Sequence, residues 1–531
     1  MSLTRRRELE RLEQYRLIIQ AELDGKRLQR ERNQLGQFAT PFALASEMLE
    51  SARGLLPKGK RIRFLDPAIG SGSFFSAFLK HFPPSQVTSG IGYEIDPEFA
   101  YSASKLWAAY GLNVRNADFT EAKAPSTDSD MANLIVCNPP YVRHHHISAE
   151  VKKRLGDLIQ RNRGIRFSGL SGLYCYFLAL SLDHLAPDGL AIWLIPSEFM
   201  DVNYGKQVKQ LLLTDVNLIR IHRFSPYDVQ FSDALVSSVI VWLRGTPSDH
   251  ENGVEFSFGG SILNPKVTQM ISRTDLLPSA KWTRFPTQSR RTSKQTEGVK
   301  LSDLFQVKRG IATGANDFFL LTPEAVQDHL LPNQVLTPIL PSPRHLKEAE
   351  ISADENGEPL IDKKYYLVSC DLPEEAVRDK FPALWKYLES GRDKGVHTRY
   401  LCRHRSPWYS QERRTPATFM CTYMGRTSGD SDRLFRFIYN RSNAIAANVY
   451  LLLYPKPLLQ RLIDEDPDLV NELWSVLSNV KSTHVAPEGR VYGGGLHKIE
   501  PNELGNVTLI DIPEKVKAEI CKTHTQLNLQ V

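Results

Sequence analysis

Between Arg61 and Leu243 the chain alternates short apolar runs with stretches of helical periodicity. The runs are IRFLD (62–66), IGYEID (91–96), NVRNAD (113–118), NLIVCN (133–138), LAIWLIP (190–196), LIRIHRF (218–224) and LVSSVIVWL (235–243). Near-continuous apolar runs of this length, bounded by turn residues, read as strands buried on both faces. Residues 73–82, 97–110 and 173–185 carry helical patterns between them. This βαβ rhythm predicts an α/β, doubly wound, mainly parallel sheet. Such a sheet offers a ligand site beyond the carboxyl ends of its strands, where the strand order reverses.

Upstream, Leu9, Leu12, Ile19 and Leu23 recur at helical spacing within a charged segment, predicting an amphipathic helix or helix pair. Acidic residues intersperse its arginines, so docking through the leucine stripe is favoured over a basic arm. Downstream, a polar stretch holding TPSDHENG and SRRTSKQTEG breaks the rhythm. Beyond it the patterning is mixed and rich in proline. The resulting division is a helical segment (1–34), an α/β domain (35–250), a linker (251–300) and a second, mixed α+β domain (301–531).

Composition narrows the class without deciding it. The 531 residues are 41% hydrophobic and 24% charged, as in globular proteins with real cores. A formal charge of +6 is too small over this length to identify a partner. Six cysteines without a CxxC pair suit reduced thiols better than a disulfide frame or a zinc site. A charged N-terminus without an apolar h-region, and no membrane-length apolar run, make the cytoplasm the expected compartment, with no membrane partner.

The chemistry is carried by the residues just past each early strand. After the first comes DPAIGSGSF (66–74), where Gly70 and Gly72 permit a tight turn and close approach to a ligand. Asp66, at the strand end, can reach a cationic or hydroxylated group. The loop lacks the GKS/GKT ending of a phosphate-binding loop, which disfavours ATP. Glu94, at the next strand end, is placed to accept from a ribose diol. Asp118 can accept from an adenine amine, and Phe119 can lie against a purine.

NPPY (138–141) then comes after the fourth strand. Its two prolines restrict the turn and remove two backbone donors. The Asn138 side chain and the Pro139 carbonyl remain as acceptors for an incoming amine. An exocyclic amine is a poor nucleophile because its lone pair conjugates with the ring. Acceptors on its hydrogens favour a pyramidal nitrogen, which is electrostatic preorganisation with little need of a base. Tyr141 offers an aromatic face to a planar base.

In the order and content of these motifs the chain resembles the gamma-class N6-adenine DNA methyltransferases of type II restriction–modification systems, the Eco57I/TaqI-like methylases. The resemblance implies a class I S-adenosylmethionine-dependent methyltransferase fold (Rossmann-like, seven-stranded) with a C-terminal target-recognition domain. It places Thr40 and Pro41 of LGQFATPFALASEM beside the methionine end of S-adenosylmethionine. Asp66, Ala68, Gly70, Glu94, Ile95, Asp118, Phe119 and Asn138 surround the rest. Asn138, Pro139, Pro140 and Tyr141 form the catalytic segment, and Phe231 sandwiches the flipped base opposite Tyr141, with Phe224 and Tyr227 as neighbours able to serve instead. LSDLFQVKRGIATGANDFFLL (301–321) and YGGGLHKIEPNEL (492–504) resemble the opening and close of the recognition domain.

The resemblance implies double-stranded DNA as substrate and a cognate restriction endonuclease as functional partner. Arg143, His144, Arg399, Arg403, Arg405 and Gly494 are the expected DNA contacts. Within 399–414, cations interleave with Tyr400, Trp408 and Tyr409, a composition suited to phosphates and base edges. The run His144–His146 is assigned to loop structure or DNA rather than to a metal, because no carboxylate or Cys spacing supports one. Cys137 is assigned to packing, because a cytosine-C5 enzyme would show a Pro-Cys context.

Three other readings remain open from the residues. Enzymes with the same fold act on cytosine N4, RNA bases or protein glutamine. A non-catalytic DNA-specificity subunit would not retain a complete cofactor site. A nicotinamide dehydrogenase leaves NPPY unexplained.

Overall fold

The computed structural model describes residues 3–225, 228, 230, 237–246, 253–286, 298–426, 434–492 and 495–520. The chain divides into two units, Met1–Arg290 with Tyr492–Gly494, and Arg291–Val491 with Gly495–Val531.

The first unit opens with helices α1 (Leu3–Gly25), α2 (Gln29–Leu35) and α3 (Phe42–Leu55). The alternation then runs β1 (Ile62–Asp66), α4 (Ser73–His81), β2 (Val87–Glu94), α5 (Pro97–Trp107), β3 (Leu112–Asn116) and β4 (Ala132–Cys137). It continues with α6 (Ala149–Arg163), α7 (Leu173–Ser181), β5 (Leu185–Pro196), α8 (Gly205–Thr214), β6 (Asn217–Arg223), β7 (Ser238–Arg244), β8 (Val254–Gly260) and β9 (Pro265–Ile271). These strands form one nine-stranded sheet in the order β3-β2-β1-β4-β5-β7-β6-β8-β9. β1 pairs in parallel with both β2 and β4, so the chain winds one way from β1 and then the other. β7 lies antiparallel between β5 and β6. The seven strands expected from the sequence are present, in the doubly wound, Rossmann-like arrangement.

Two more strands extend this sheet. Residues 254–271, expected as part of a linker, form β8 and β9, with β8 parallel to β6 and β9 antiparallel to β8. Val254, Phe256 and Ile271 enter the core, which is why the segment joins the domain.

Each central strand feeds two cores, because successive side chains leave a strand on opposite faces. In β4, Leu134 and Val136 pack with Leu44, Met48 and Phe78 of α3 and α4. Ile135 and Cys137 pack on the other face with Leu155, Ile159 and Leu178 of α6 and α7. Leu9 of α1 is buried in the first of these cores, with Leu12 and Ile19 against it. The N-terminal helix is therefore docked through its leucine stripe.

The second unit is mixed α+β. Its five-stranded sheet orders Phe305–Arg309, Tyr450–Pro455, Phe419–Thr422, Phe437–Asn440 and Glu350–Ile351. A four-stranded and a three-stranded sheet accompany it. Among the described residues no helix is long and apolar enough to cross a membrane.

Candidate active site

The carboxyl ends of β1, β2 and β4 meet at one cavity of about 710 Å³, lined among others by Gly70, Glu94, Asp118, Phe119, Asn138 and Pro140. That volume lies within the roughly 300–1,000 Å³ usual for small-ligand sites. Its position, between diverging β1 and β4, is the switch point of the sheet.

The glycine-rich loop turns sharply between β1 and α4. Gly70 and Gly72 both take positive φ, and at Gly72 an added Cβ would stand 2.3 Å from Trp107 Nε1. The Gly70 N–H donates to Glu94 Oε2 at 2.9 Å, and the Asp96 N–H to Oε1 at 2.9 Å. Glu94 is thus fixed by backbone donors, with lone pairs left over for hydroxyl donors. Burial raises its pKa, against which these hydrogen bonds act. Asp118 caps the short turn after β3 by accepting from Thr120 N at 2.8 Å. Phe119 packs edge-on to Tyr93 and against Phe177, making an apolar wall.

Asn138 is held with unusual definition. Its Nδ2 donates to Phe38 O at 2.9 Å and to Thr40 Oγ1 at 3.1 Å. Because a carbonyl can only accept, this contact fixes which end of the amide is which. Oδ1 is buried and has no hydrogen-bond partner among the described residues. A buried acceptor left without a partner is costly, and such an atom at a cavity points to function. The segment that orients Asn138 also grips the NPPY backbone. Tyr141 N donates to Gly36 O at 3.0 Å, and Gly36 (φ +66°) comes so close that a Cβ there would lie 2.3 Å from Tyr141 N.

Several expected residues sit differently. Asp66 is fully buried and does not line the cavity; Oδ1 accepts from Ala68 N at 3.0 Å, and the Cys137 thiol is its side-chain neighbour. Burial, opposed by that hydrogen bond, pushes its pKa up to about 8. Tyr141, expected to present an open face, is 7% exposed. Its ring meets Phe38 at 5.6 Å in a tilted contact and its hydroxyl donates to Leu194 O at 3.0 Å, so packing leaves little of the ring open. Thr40 meets Asn138 and Pro41 stands at the start of α3, neither lining the cavity, whereas Ala68 and Ile95 line it. Cys137 is buried, and burial raises its thiol pKa. Phe231, Tyr227 and Gly494 lie outside the described residues. Phe224, the alternative to Phe231, is buried against His222.

In the second unit, most cations of 399–414 have internal partners. Arg399 pairs with Asp317 at 2.5 Å, Arg413 with Asp371 at 2.5 Å, and Arg414 with Glu412 at 2.5 Å. Arg405 donates to the carbonyls of Ala312 and Thr313 at 2.5 and 2.8 Å, pinning the loop after Gly310. Trp408 and Tyr409 are core residues. Arg403 is exposed and lies over the Tyr400 ring at 5.3 Å. Arg143 is exposed and His144 partly so, and burial together with Lys152 and Arg143 lowers the His144 pKa. Among the described residues no group of three or more His, Cys, Asp or Glu side chains is arranged to hold a metal ion.

The cavity also has walls that the motifs did not announce. Gln20, Asp24 and Arg27, from α1 and the turn after it, line it, beside Gly36, Gln37, Phe38 and Ala39 of the LGQFATPFALASEM motif. The only signal in the sequence was a polar Gln20-Asp24-Arg27 row at helical spacing.

Comparison with known proteins bears on the family. Residues 103–230 match the Eco57I restriction-modification methylase family, and residues 281–530 match the C-terminal domain of the type II methyltransferase M.Eco57I. The type II methyltransferase M.AccI of Acinetobacter calcoaceticus is 26% identical over 502 residues, covering 91% of this chain and 86% of that protein. M.XamI of Xanthomonas campestris pv. amaranthicola is 28% identical over 479 residues, covering 88% and 84%. Among solved structures, the type IIL restriction-modification enzyme MmeI, determined in complex with DNA, aligns with a TM-score of 0.50 at 14% identity. That match covers 79% of this chain and 60% of MmeI, so the chain spans about three fifths of that protein, and the likeness is one of fold. The chain belongs to the type II restriction–modification methyltransferases of the Eco57I methylase family.

Proposed function

We propose that the protein is a site-specific DNA methyltransferase that methylates the N6 amine of adenine in duplex DNA, protecting host DNA beside a cognate endonuclease. The observation that carries this reading is Asn138: both amide hydrogens are engaged by Phe38 and Thr40, leaving a buried, unpartnered Oδ1 beside the cavity. An acceptor held in this way suits an amine that must give up its conjugation.

Glu94, Asp118, Phe119 and the Gly70 loop fit S-adenosylmethionine: a carboxylate for the ribose, an acceptor and an aromatic wall for adenine, and glycine backbone for close approach. When bound, S-adenosylmethionine would supply a methyl on a sulfonium: its S–CH3 bond would break as the N–CH3 bond forms, leaving S-adenosylhomocysteine, with the amine proton released to solvent. Asn138 Oδ1 and the Pro139 carbonyl accept from the amine, and the two prolines keep competing donors out of the turn. The adenine is extruded from the duplex to reach this depth. Stacking on Tyr141 requires Phe38 to move aside, and Phe231 is the proposed partner on the other face. The C-terminal unit is assigned to reading the DNA sequence, with Arg403, Arg143 and His144 on phosphates. The Asn in first place of the motif favours adenine over cytosine N4, and the large second unit favours DNA over RNA or protein amides.

Transfer of tritium from labelled S-adenosylmethionine to unmethylated genomic DNA, followed by nucleoside chromatography, tests the reading. Label is expected in N6-methyladenosine, and Asn138→Ala should lower the rate by roughly 10²–10³. Label in N4-methylcytosine would change the base. Label only in RNA or protein would overturn the assignment.

A further inference from the structure

The face that α1 turns to the domain runs Leu9, Glu13, Arg16, Gln20, Leu23, in alternating steps of four and three. Its two ends are apolar and its middle is polar. A helix serving only as a strap would fill this stripe with leucine, because a buried ion pair offers little stability over apolar residues of the same volume. Arg16 is nevertheless 1% exposed, and its Nη2 and Nε meet the Glu13 carboxylate at 2.6 and 2.9 Å.

The remaining side-chain hydrogen bonds of this pair go to the cofactor loop and to α4 behind it. Arg16 Nη1 donates to Ser71 Oγ at 2.8 Å, and Ser71 Oγ donates in turn to Gln20 Oε1 at 2.7 Å. Ser76 Oγ, on α4, donates to Glu13 Oε2 at 2.6 Å. Ser71 lies between the two positive-φ glycines, and its carbonyl accepts from Trp107 Nε1 at 2.9 Å. The corner of the loop is therefore clamped from two sides, and with it the adjacent Gly70 N–H that holds Glu94. Farther along, Gln20 Nε2 donates to Asp24 Oδ2 at 2.9 Å. Arg27 pairs with Asp96, two residues past Glu94, and donates to Gln37 Oε1 at 2.9 Å. Gln20, Asp24, Arg27 and Gln37 all line the cavity.

We propose that α1 is a working wall of the S-adenosylmethionine cavity, with Arg16 and Gln20 as positioning residues that set the glycine-rich loop and hence cofactor affinity. The inference rests on the cofactor reading above. It assigns the N-terminal helix a role in binding that docking alone does not require.

The test uses the full-length protein. Glu13→Gln/Arg16→Met removes both buried charges at once, so neither is left unpaired. Gln20→Leu, at a half-buried position, extends the apolar stripe and spares the fold. For each, S-adenosylmethionine and S-adenosylhomocysteine binding is measured by calorimetry, together with kcat, KM for the cofactor and the unliganded melting temperature. We expect Kd and cofactor KM to rise about tenfold, equivalent to ~1.4 kcal/mol, with melting unchanged or raised and kcat at saturating cofactor nearly retained. Wild-type Kd and KM in both variants would overturn the inference and leave α1 a strap. Should the double variant not fold, Gln20→Leu decides by the same readout. Failure of the wild type to bind S-adenosylmethionine would instead overturn the cofactor reading itself, so the two failures are distinct.

Discussion

Asp66 carries the clearest pH signature of any single residue near the site. Its folded pKa of about 8 stands above the ordinary carboxylate value, because burial penalises the charged form. The stabilising contribution of the neutral acid is full below about pH 4 and is lost as pH rises through about 8. The Asp66→Asn variant, permanently neutral, should therefore gain in melting temperature relative to wild type as pH is raised from about 6 to 9. A difference constant across that range in thermal melts would show that Asp66 is ionised in the fold. Gly36 gives a second residue-scale expectation. At φ +66°, with Tyr141 N 2.3 Å from an added Cβ, Gly36→Ala should cost about 1–3 kcal/mol in chemical denaturation. It should also lower methyl transfer, because the same segment orients Asn138.

Elements differ in how openly they announced themselves. β4 and β7 were legible because strands covered on both faces are apolar throughout, and NPPY was legible because its chemistry is local. β9 was not: its burial alternates between exposed and half-buried until Ile271, so PKVTQMI reads as loop when met alone. The contribution of α1 was hidden for a different reason. Glu13, Arg16 and Gln20 read as surface until Ser71 and Ser76, far along the chain, are brought against them. The burial of Tyr141, with Phe38 tilted against it, is likewise a tertiary fact that no motif encodes. At α5, Asp96 caps the helix through the N–H groups of Glu98 and Phe99 while pairing with Arg27. Asp96→Ala should lower stability by roughly 0.5–2 kcal/mol in urea unfolding, and weaken cofactor binding through the freed Arg27.

For the whole molecule, the two units carry different parts of the proposed activity, and their arginines should separate by experiment. Arg403→Ala should weaken DNA binding across sequences and reduce the slope of log K against log salt by about 1. Arg405→Ala, which strips the hydrogen bonds from Ala312 and Thr313, should appear first as lowered stability of the C-terminal unit. Titrations at several salt concentrations alongside thermal melts distinguish the two, and an unchanged salt slope for Arg403→Ala would remove it from the interface. The composition of 399–414 suggested one basic surface, but the ion pairs of Arg399, Arg413 and Arg414 show much of that charge balanced internally.

The orientation of Asn138 also bears on when the enzyme stops. With its own hydrogens committed to Phe38 and Thr40, and proline on either side of the next peptide bond, the turn offers acceptors without donors. On the proposed reading such a site counts hydrogens. An unmodified amine brings two and satisfies both acceptors. The product brings one, leaves an acceptor unmatched, and is held less well than the substrate it came from. If the proposed reading holds, one methyl per base and ready release of marked DNA result from the way a single amide is turned.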